Sequence, residues 1–305
     1  MRIRLLAGAV AGTMLFAGCM QSARPAAQQP KNAPPLASVR AAFFYPWFPE
    51  SWAQQGIVPF TRYHPTSGLY DSSNLGVIDR QIRQMQYGHI RVGISSWQGP
   101  GTPTDRRVPA LLSRAAGRDF KWALYYESEG GGDPSSAKIV ADLDYLLQRY
   151  ASTPAYERSA GKPVLFVYDT GDRTACDKLA RWHAASATAR FYIVQKISPG
   201  YQNCPYQPDS WHQYDPASPT DEVRGSSFNV SPGFFKAGEA APRLNRDVSR
   251  FTEDLRKMAA AREPWHLITT FNEWGEGTAL EPANEWASAS GYGRYLDALH
   301  AVPEP

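Results

Sequence analysis

Pro264-Trp-His-Leu-Ile-Thr-Thr-Phe-Asn-Glu-Trp-Gly-Glu-Gly-Thr-Ala-Leu-Glu-Pro282 changes character at its midpoint. Trp265 to Phe271 is a short apolar run rich in aromatic and β-branched residues, the composition of a strand covered on both faces, as in a parallel sheet. From Asn272 onward the chain becomes polar and glycine-rich, so a buried strand runs straight into a loop. That loop carries Glu273 and Glu276 around Trp274, with Gly275 and Gly277 free to turn the backbone sharply. On an extended strand this spacing would send the two carboxyl groups to opposite faces. On a helical turn, residues i and i+3 are neighbours about 5–6 Å apart at Cβ, and the glycines favour the turn.

Working outward, strand-like and helix-like segments alternate. Ala42 to Phe48 reads as the first strand, followed by a helix from Asn74 to Tyr87, capped by Ser73 and stopped at Gly88. Arg91 to Ser96 is a second strand, followed by a helix near Thr104 to Ala116. Lys121 to Tyr126 is a third strand, followed by an amphipathic helix from Ser135 to Tyr150. Pro163 to Tyr168 and Phe191 to Lys196 are the fourth and fifth strands, with a helix near Ala175 to Ala187 between them. The pattern then degrades: Ser198 to Asp209 is proline-rich loop, Trp211 to Tyr214 a short strand, and Thr220 to Val223 fits only a helical turn. It returns with a strand at Ser226 to Val230, a helix at Arg246 to Ala261, the eighth strand at Trp265 to Phe271 and a closing helix at Ala287 to Leu299. Eight strand–helix repeats imply an α/β fold, a single (β/α)8 TIM-type barrel with degenerate helices after strands 5 and 6, over residues 41–305.

Function in such a barrel collects at the C-terminal ends of the strands. Tyr45 and Trp47, Trp97, Tyr126 and Glu127, Tyr168 and Asp169, Gln195 and Lys196, Trp211 and Tyr214, and Asn229 occupy those ends in order, before Asn272, Glu273 and Trp274. Aromatic faces suit stacking on a pyranose ring while carboxylates and amides bond its hydroxyls. The substrate-binding expectation therefore covers Tyr45, Trp47, Trp97, Glu127, Tyr168, Asp169, Trp211, Tyr214, Asn229, Asn272 and Trp274. Glu273 and Glu276 are the catalytic expectation, because two carboxyl groups about 5–5.5 Å apart equip a retaining glycosidase with a proton donor and a nucleophile or base. Glutamate pairs at this spacing are ordinary on solvated helices. These follow a buried strand and pack around a tryptophan.

Residues 1–18 carry Arg2 and Arg4, then an apolar core from Leu5 to Phe16 too short to span a bilayer, then Ala17-Gly-Cys19. This resembles a bacterial lipoprotein signal. Cys19 would become the lipidated first residue, residues 19–40 a disordered tether rich in Ala, Pro and Gln, and the protein would sit in the bacterial cell envelope, attached to the membrane through its N-terminal lipid. About 20 such residues reach at most roughly 65 Å.

The formal net charge of +3 falls to about +1 without Arg2 and Arg4, and no block of like charge remains, so nucleic acid is not an expected partner and a neutral substrate fits. Cys176 and Cys204 follow neighbouring strands on one face of the barrel, and in an exported protein they are expected to form a disulfide. The six histidines are scattered without ligand spacing, and there is no phosphate loop or nucleophile elbow, so no metal and no cofactor are expected. His212, on the sixth strand, could line the cleft or pack beneath it. The chain is expected to be a monomer acting on an oligosaccharide or polysaccharide.

Asn272-Glu-Trp-Gly-Glu-Gly-Thr-Ala-Leu-Glu-Pro282 resembles the signature of glycoside hydrolase family 99, the endo-acting α-mannosidases, and of family-99-like bacterial domains. Phe44-Tyr-Pro-Trp-Phe48, Gly68-Leu-Tyr-Asp-Ser72, Ser95-Ser-Trp-Gln-Gly99, Lys162-Pro-Val-Leu-Phe-Val-Tyr-Asp169 and Val230-Ser-Pro-Gly-Phe234 agree in order, over about Ala42 to Tyr295. The resemblance implies retaining cleavage through a 1,2-anhydro sugar. Glu273 would be the base that deprotonates the 2-hydroxyl, and Glu276 the acid that protonates the leaving oxygen and later activates water. The residues alone leave Glu273 open as base or direct nucleophile. Tyr125-Tyr-Glu-Ser-Glu129 lacks the family's histidine before the glutamate and its Pro-Tyr after it, and Tyr168-Asp-Thr170 departs from the family's Asp-Ser-Tyr. The distal subsites are therefore open, for an α-mannoside or another α-linked polysaccharide. Two rivals remain: a non-catalytic glycan-binding lipoprotein, and a glycosyltransferase-associated domain, which export disfavours because nucleotide-sugar donors are cytoplasmic.

Overall fold

The computed structural model describes residues 38–128, 132–169, 175–186 and 191–303. The signal segment, Cys19, nearly all of the tether, Glu129 and Thr170 lie outside the described residues. The strands are β1 Val39–Phe44, β2 Val92–Trp97, β3 Lys121–Tyr126, β4 Arg158–Ser159, β5 Lys162–Val167, β6 Tyr192–Lys196, β7 Ser210–His212, β8 Thr220–Val223, β9 Ser227–Val230 and β10 Trp265–Ile268. The helices are α1 Leu75–Tyr87, α2 Pro103–Ala115, α3 Ser136–Leu146, α4 Ala175–Ser186, α5 Val248–Ala260 and α6 Arg294–Ala301.

Hydrogen bonding runs in the order β7-β6-β5-β3-β2-β1-β10-β9-β8, parallel throughout except for β8, which is antiparallel to β9; the two-residue β4 pairs antiparallel with β5. The ladder is open between β7 and β9, so the eight parallel strands form a nearly closed TIM-type barrel. The opening has a local cause. β7 is three residues long and flanked by Pro205, Pro208, Pro216 and Pro219, which cannot donate to a ladder.

Alternation along each strand separates two apolar layers. Ala41, Phe43, Val92, Ile94, Ala123, Tyr125, Val164, Phe166, Val194, Trp265 and Leu267 fill the barrel interior. Ala42, Phe44, Trp122, Leu124, Leu165, Val230 and Ile268 pack outward among the helices. The fit is close at Gly93, where an added Cβ would lie 2.2 Å from the Trp122 ring, so only glycine allows that indole to cross β2.

Several local expectations are corrected. Thr220 to Val223 is a strand, because four residues behind Pro219 are too few to nucleate a helix and the edge of β9 beside the opening accepts a hairpin through Gly225. Asn74 caps α1: its Oδ1 accepts the amides of Gly76 and Val77 at 2.8 and 3.3 Å, whereas the Ser73 hydroxyl accepts from Arg107 Nε at 3.1 Å. The closing helix starts at Arg294, because Gly291 and Gly293 hold positive φ of 79° and 82° just before it.

Cys176, at the start of α4, and Cys204 are joined in a disulfide across 28 residues. The bond ties α4 to the loop that replaces the fifth helix. Replacing both cysteines by serine is expected to lower stability by about 3–4 kcal/mol on the chain-entropy model, measured by urea unfolding of the oxidised and doubly substituted proteins.

Candidate active site

Past Ile268 the backbone folds back on itself. The Thr270 hydroxyl accepts the Glu273 amide at 2.9 Å, Gly277 donates to the Trp274 carbonyl at 3.1 Å, and Thr278 donates to the Glu273 carbonyl at 3.2 Å. The three-residue spacing therefore sits on a compact turn, as the glycines imply. Gly277 is obligatory there: φ is +67°, and a Cβ would lie 2.5 Å from the Phe235 carbonyl oxygen. Phe235 and Ala237 donate to the Glu276 and Gly275 carbonyls at 3.0 and 2.8 Å, pinning the turn from the β9–α5 connection.

Glu273 Oε1 accepts the amides of Gly275 and Glu276 at 3.0 and 3.3 Å. Glu276 has a buried Oε2 without a partner among the described residues. Burial raises the Glu273 carboxyl well above its ordinary range, the charge of Glu276 raises it further, and the two turn amides pull it back. Glu276 is raised by burial and pulled back by Lys236 and Arg243 at the rim. Two interacting carboxyl groups of this kind titrate as a pair, which favours a shared proton between them over an interval of pH.

The residues that converge on this turn share one parity. Tyr45, Glu127, Tyr168, Lys196, Tyr214 and Asn229 continue the inward-facing rows of their strands. The Tyr45 hydroxyl donates to that of Tyr214 at 2.7 Å, and Trp47 stacks on Tyr45 with centroids 4.4 Å apart. Burial raises the Tyr214 hydroxyl and the two glutamates raise it further, so it stays neutral beside them. Trp47 Nε1 and Asn229 Nδ2 are buried without partners among the described residues, and the Glu127 carboxyl lies beside Ser96, so polar atoms able to bond a ligand gather around the two carboxyls.

Several expected contact residues lie elsewhere. Trp97 is fully buried on the outer side of β2, its indole donating to Asp105 Oδ1 at 2.8 Å. Asp169 is fully buried and paired with Lys178 at 2.6 Å, and Trp211 packs with Leu179, Tyr201, Cys204 and Val223. Each is adjacent in sequence to an inward residue, so period-2 alternation turns it away from the lumen. Asn272 is spent on structure: its Oδ1 accepts the Tyr45 amide at 2.7 Å, and its Nδ2 donates to the Tyr45 carbonyl at 3.0 Å. Trp274 is also wholly buried, donating to Tyr70 Oη and Glu281 Oε2 at 3.2 and 3.1 Å. These residues hold the turn, and packing accounts for them. His212 lies beneath the cleft, between the Tyr125 hydroxyl and the Val194 carbonyl, and burial lowers it to about 3.

Two supports had no separate signal in the sequence. Glu281 accepts from Tyr70, Trp274 and Gln81 Nε2, the last at 2.9 Å, forming a buried base under the turn. Arg246 donates to the Gly277 and Ala279 carbonyls, both at 2.8 Å, and its guanidinium lies 4.0 Å from the Trp286 ring centre and 4.3 Å from that of Tyr295.

Glu127 provides a test that needs no substrate. Burial raises its carboxyl from an ordinary value of 4.5 to about 7, with Ser96 pulling it down and Glu276 pushing it up. The folded protein therefore keeps a proton that the unfolded chain releases. The associated stability is complete below the ordinary value and is lost as pH rises through about 7. Glu127→Gln is expected to unfold at higher urea than the parent at pH 8, by about 2–3 kcal/mol, with the advantage vanishing near pH 4. A parent-minus-variant difference independent of pH would refute the assignment.

Among the described residues, no group of His, Cys, Asp or Glu could hold a metal ion, and no helix is long and apolar enough to cross a membrane.

The model of Glycosyl hydrolase family 99 matches residues 55–191, ending before Glu273. Rat glycoprotein endo-alpha-1,2-mannosidase is 24% identical over 263 residues, covering 72% of this chain and 56% of that protein. The human glycoprotein endo-alpha-1,2-mannosidase-like protein is 28% identical over 275 residues, covering 72% of this chain and 57% of that one. The chain thus spans a little over half the length of these relatives. The structure of a family 99 endo-alpha-mannosidase from Bacteroides thetaiotaomicron superposes with a TM-score of 0.68 at 18% identity, covering 86% of this chain and 95% of that one. The chain resembles glycoside hydrolase family 99 in sequence and shares its barrel fold.

Proposed function

We propose, from that resemblance and from the turn after β10, that this chain is a retaining endo-glycosidase that cleaves an α-mannoside or a related α-linked polysaccharide. The observation that carries the reading is the burial of Glu273 and Glu276 on one tight turn facing Tyr214 and the unpartnered polar atoms of the barrel mouth. In this reading Glu273 takes the proton of the substrate's 2-hydroxyl while O2 attacks the anomeric carbon. Glu276 gives its proton to the departing glycosidic oxygen. Water then gives a proton to Glu276 and attacks the anomeric carbon, and the opened O2 recovers its proton from Glu273. Burial raises both carboxyls and so allows Glu276 to stay protonated as a general acid must, while the division of roles between Glu273 and Glu276 rests on the family resemblance. Glu127 and Tyr168, within electrostatic reach of Glu276, are proposed to bond sugar hydroxyls, with Trp47, Tyr45, Tyr214 and Asn229 completing the wall.

The protein is further proposed to be exported and lipid-anchored at Cys19, with residues 19–40 as tether. The disulfide between Cys176 and Cys204 supports an oxidising compartment. Incubating purified protein with a panel of α-mannans and bacterial polysaccharides should release oligosaccharides. Binding to a member of the panel without cleavage, unchanged in Glu276→Gln, would instead establish a glycan-binding protein.

A further inference from the structure

At the C-terminal end of β6, Lys196 pairs with His212 in the β6–β7 ladder, and residues paired side by side in a sheet share a face. His212 packs in the lumen against Phe43, Tyr125 and Phe166, so Lys196 faces the lumen as well. Ile197, the next residue, packs outward with Trp211 and Val223. The Lys196 ammonium lies 5.9 Å from the Tyr168 ring centre, and its charge adds to burial in lowering His212. Tyr168 spans the next gap. Burial raises its hydroxyl, and Glu127 and Glu276 raise it further, so one phenol joins the surroundings of Lys196 to those of Glu276.

Among the described residues this ammonium has no carboxylate partner. Burial lowers its pKa while Asp169, Asp215 and Asp221 pull it back up, yet each of these acids is engaged or turned aside. Asp169 is paired with Lys178 and accepts from the Tyr201 hydroxyl. Asp215 accepts from the Ser218 hydroxyl at 2.8 Å and the Ala217 amide at 3.2 Å. Asp221 shares the face of Val223, which packs with Trp211 outside the lumen, and lines a hollow with Ile197 and Gln213. A half-buried ammonium held only by a ring at the outer limit of cation–π contact is costly, and the cost points to an incoming partner.

The surrounding charges decide the class of that partner. Burial pushes Glu127 up to about 7 and raises Glu273 and Glu276 too, which weakens the negative charge of the mouth. Beside Glu276, Lys236 adds a second positive charge, while Arg243 is paired with Glu239. An amino sugar would be repelled by Lys196, and a hydroxyl would leave its charge uncompensated. A carboxylate or phosphate ester would neutralise it through a charge-assisted hydrogen bond roughly twice as strong as a neutral one.

We propose that Lys196, with Tyr168 beside it, forms a subsite for a sugar unit carrying an anionic substituent, so that the glycan taken by this cleft is acidic. The inference rests on the reading of the cleft as glycan-binding and adds the charge class of the glycan. The small net charge of the chain gives no sign of it, because acids that do not face the cleft offset Lys196 in the total. Tyr168-Asp-Thr170, where the sequence departs from the family pattern, ends the neighbouring strand.

The test is calorimetric titration of mannose 6-phosphate, glucuronate and methyl α-mannoside into the full chain and into its Lys196→Met and Lys196→Arg variants. The parent should bind at least one of the anionic sugars about tenfold more tightly than methyl α-mannoside, the scale of one hydrogen bond to a charged group. Whichever gains identifies the anion as phosphate ester or carboxylate. The advantage should vanish in Lys196→Met and persist in Lys196→Arg. Equal binding of all three sugars by the parent, no binding of any, or an advantage that survives Lys196→Met overturns the subsite; the first two outcomes need no variant to fold. Release of oligosaccharides from the polysaccharide panel is followed in parallel. Preference for an anionic sugar without release keeps the subsite and removes the hydrolase, and release without that preference does the reverse.

Discussion

Replacing Glu276 by glutamine should slow release of oligosaccharide at least about a hundredfold, the lower end for losing a positioned acid or base. The substitution preserves shape and removes only the transferable proton, so binding should change little and the loss should fall on turnover. Among the described residues the Glu276 Oε2 is buried without a partner, so glutamine breaks no hydrogen bond at that atom. A leaving group that needs no proton separates the two roles. With a dinitrophenyl glycoside the Glu276→Gln deficit in the first step should shrink, whereas Glu273→Gln should stay impaired, because the 2-hydroxyl must still be deprotonated. Equal losses for both variants on both substrates would refute this division of labour. The pH profile should follow: the Glu276 carboxyl is raised by burial, so the limb that reports its deprotonation should lie above the ordinary carboxylate range and disappear in Glu276→Gln.

The repeat of strands and helices was legible because each barrel strand is an apolar run and each main helix carries a 3.6-residue stripe. The same local signals placed Glu273 and Glu276 on a turn, since Gly275 and Gly277 leave few alternatives. Which strand-end residues face inward was harder to read. Trp97, Asp169 and Trp211 are as polar or aromatic as their neighbours, and only the strand register decides that Ser96, Tyr168 and His212 point inward instead. A one-residue error in phase exchanges lumen for helix layer. Thr220 to Val223 failed for a different reason: its conformation is set by the free edge of β9, a partner distant from any helix signal. Glu281, Tyr70 and Gln81 form one buried network with Trp274 although up to 211 residues separate them, and no local pattern announces such a meeting.

Arg246→Leu is expected to lower turnover about a hundredfold while leaving both glutamates chemically intact, because a displacement of about 1 Å at a reacting group is enough for such a loss. Arg246 is the residue before the Asp247 cap of α5, and its guanidinium reaches the carbonyls of Gly277 and Ala279, immediately after Glu276. The planar group is held between Trp286 and Tyr295, with Tyr63 5.3 Å away, so its position is fixed by rings before the turn docks on it. Behind it, Gly233 leaves room that no other residue would: a Cβ there would lie 2.4 Å from Arg246 Cγ. Leucine fills part of the volume but satisfies neither carbonyl, so the turn should loosen and stability should fall by about 3–5 kcal/mol for two charge-assisted bonds. Lysine keeps the charge but cannot bond both carbonyls in a fork, and it should recover stability better than turnover. Loosening the turn also lets water reach Glu276, whose carboxyl is raised by burial, so the upper limb of the pH profile should move toward ordinary carboxylate values in the variant. A purely structural role for Arg246 would lower the melting temperature and leave that limb in place, and measuring both on Arg246→Lys distinguishes the two.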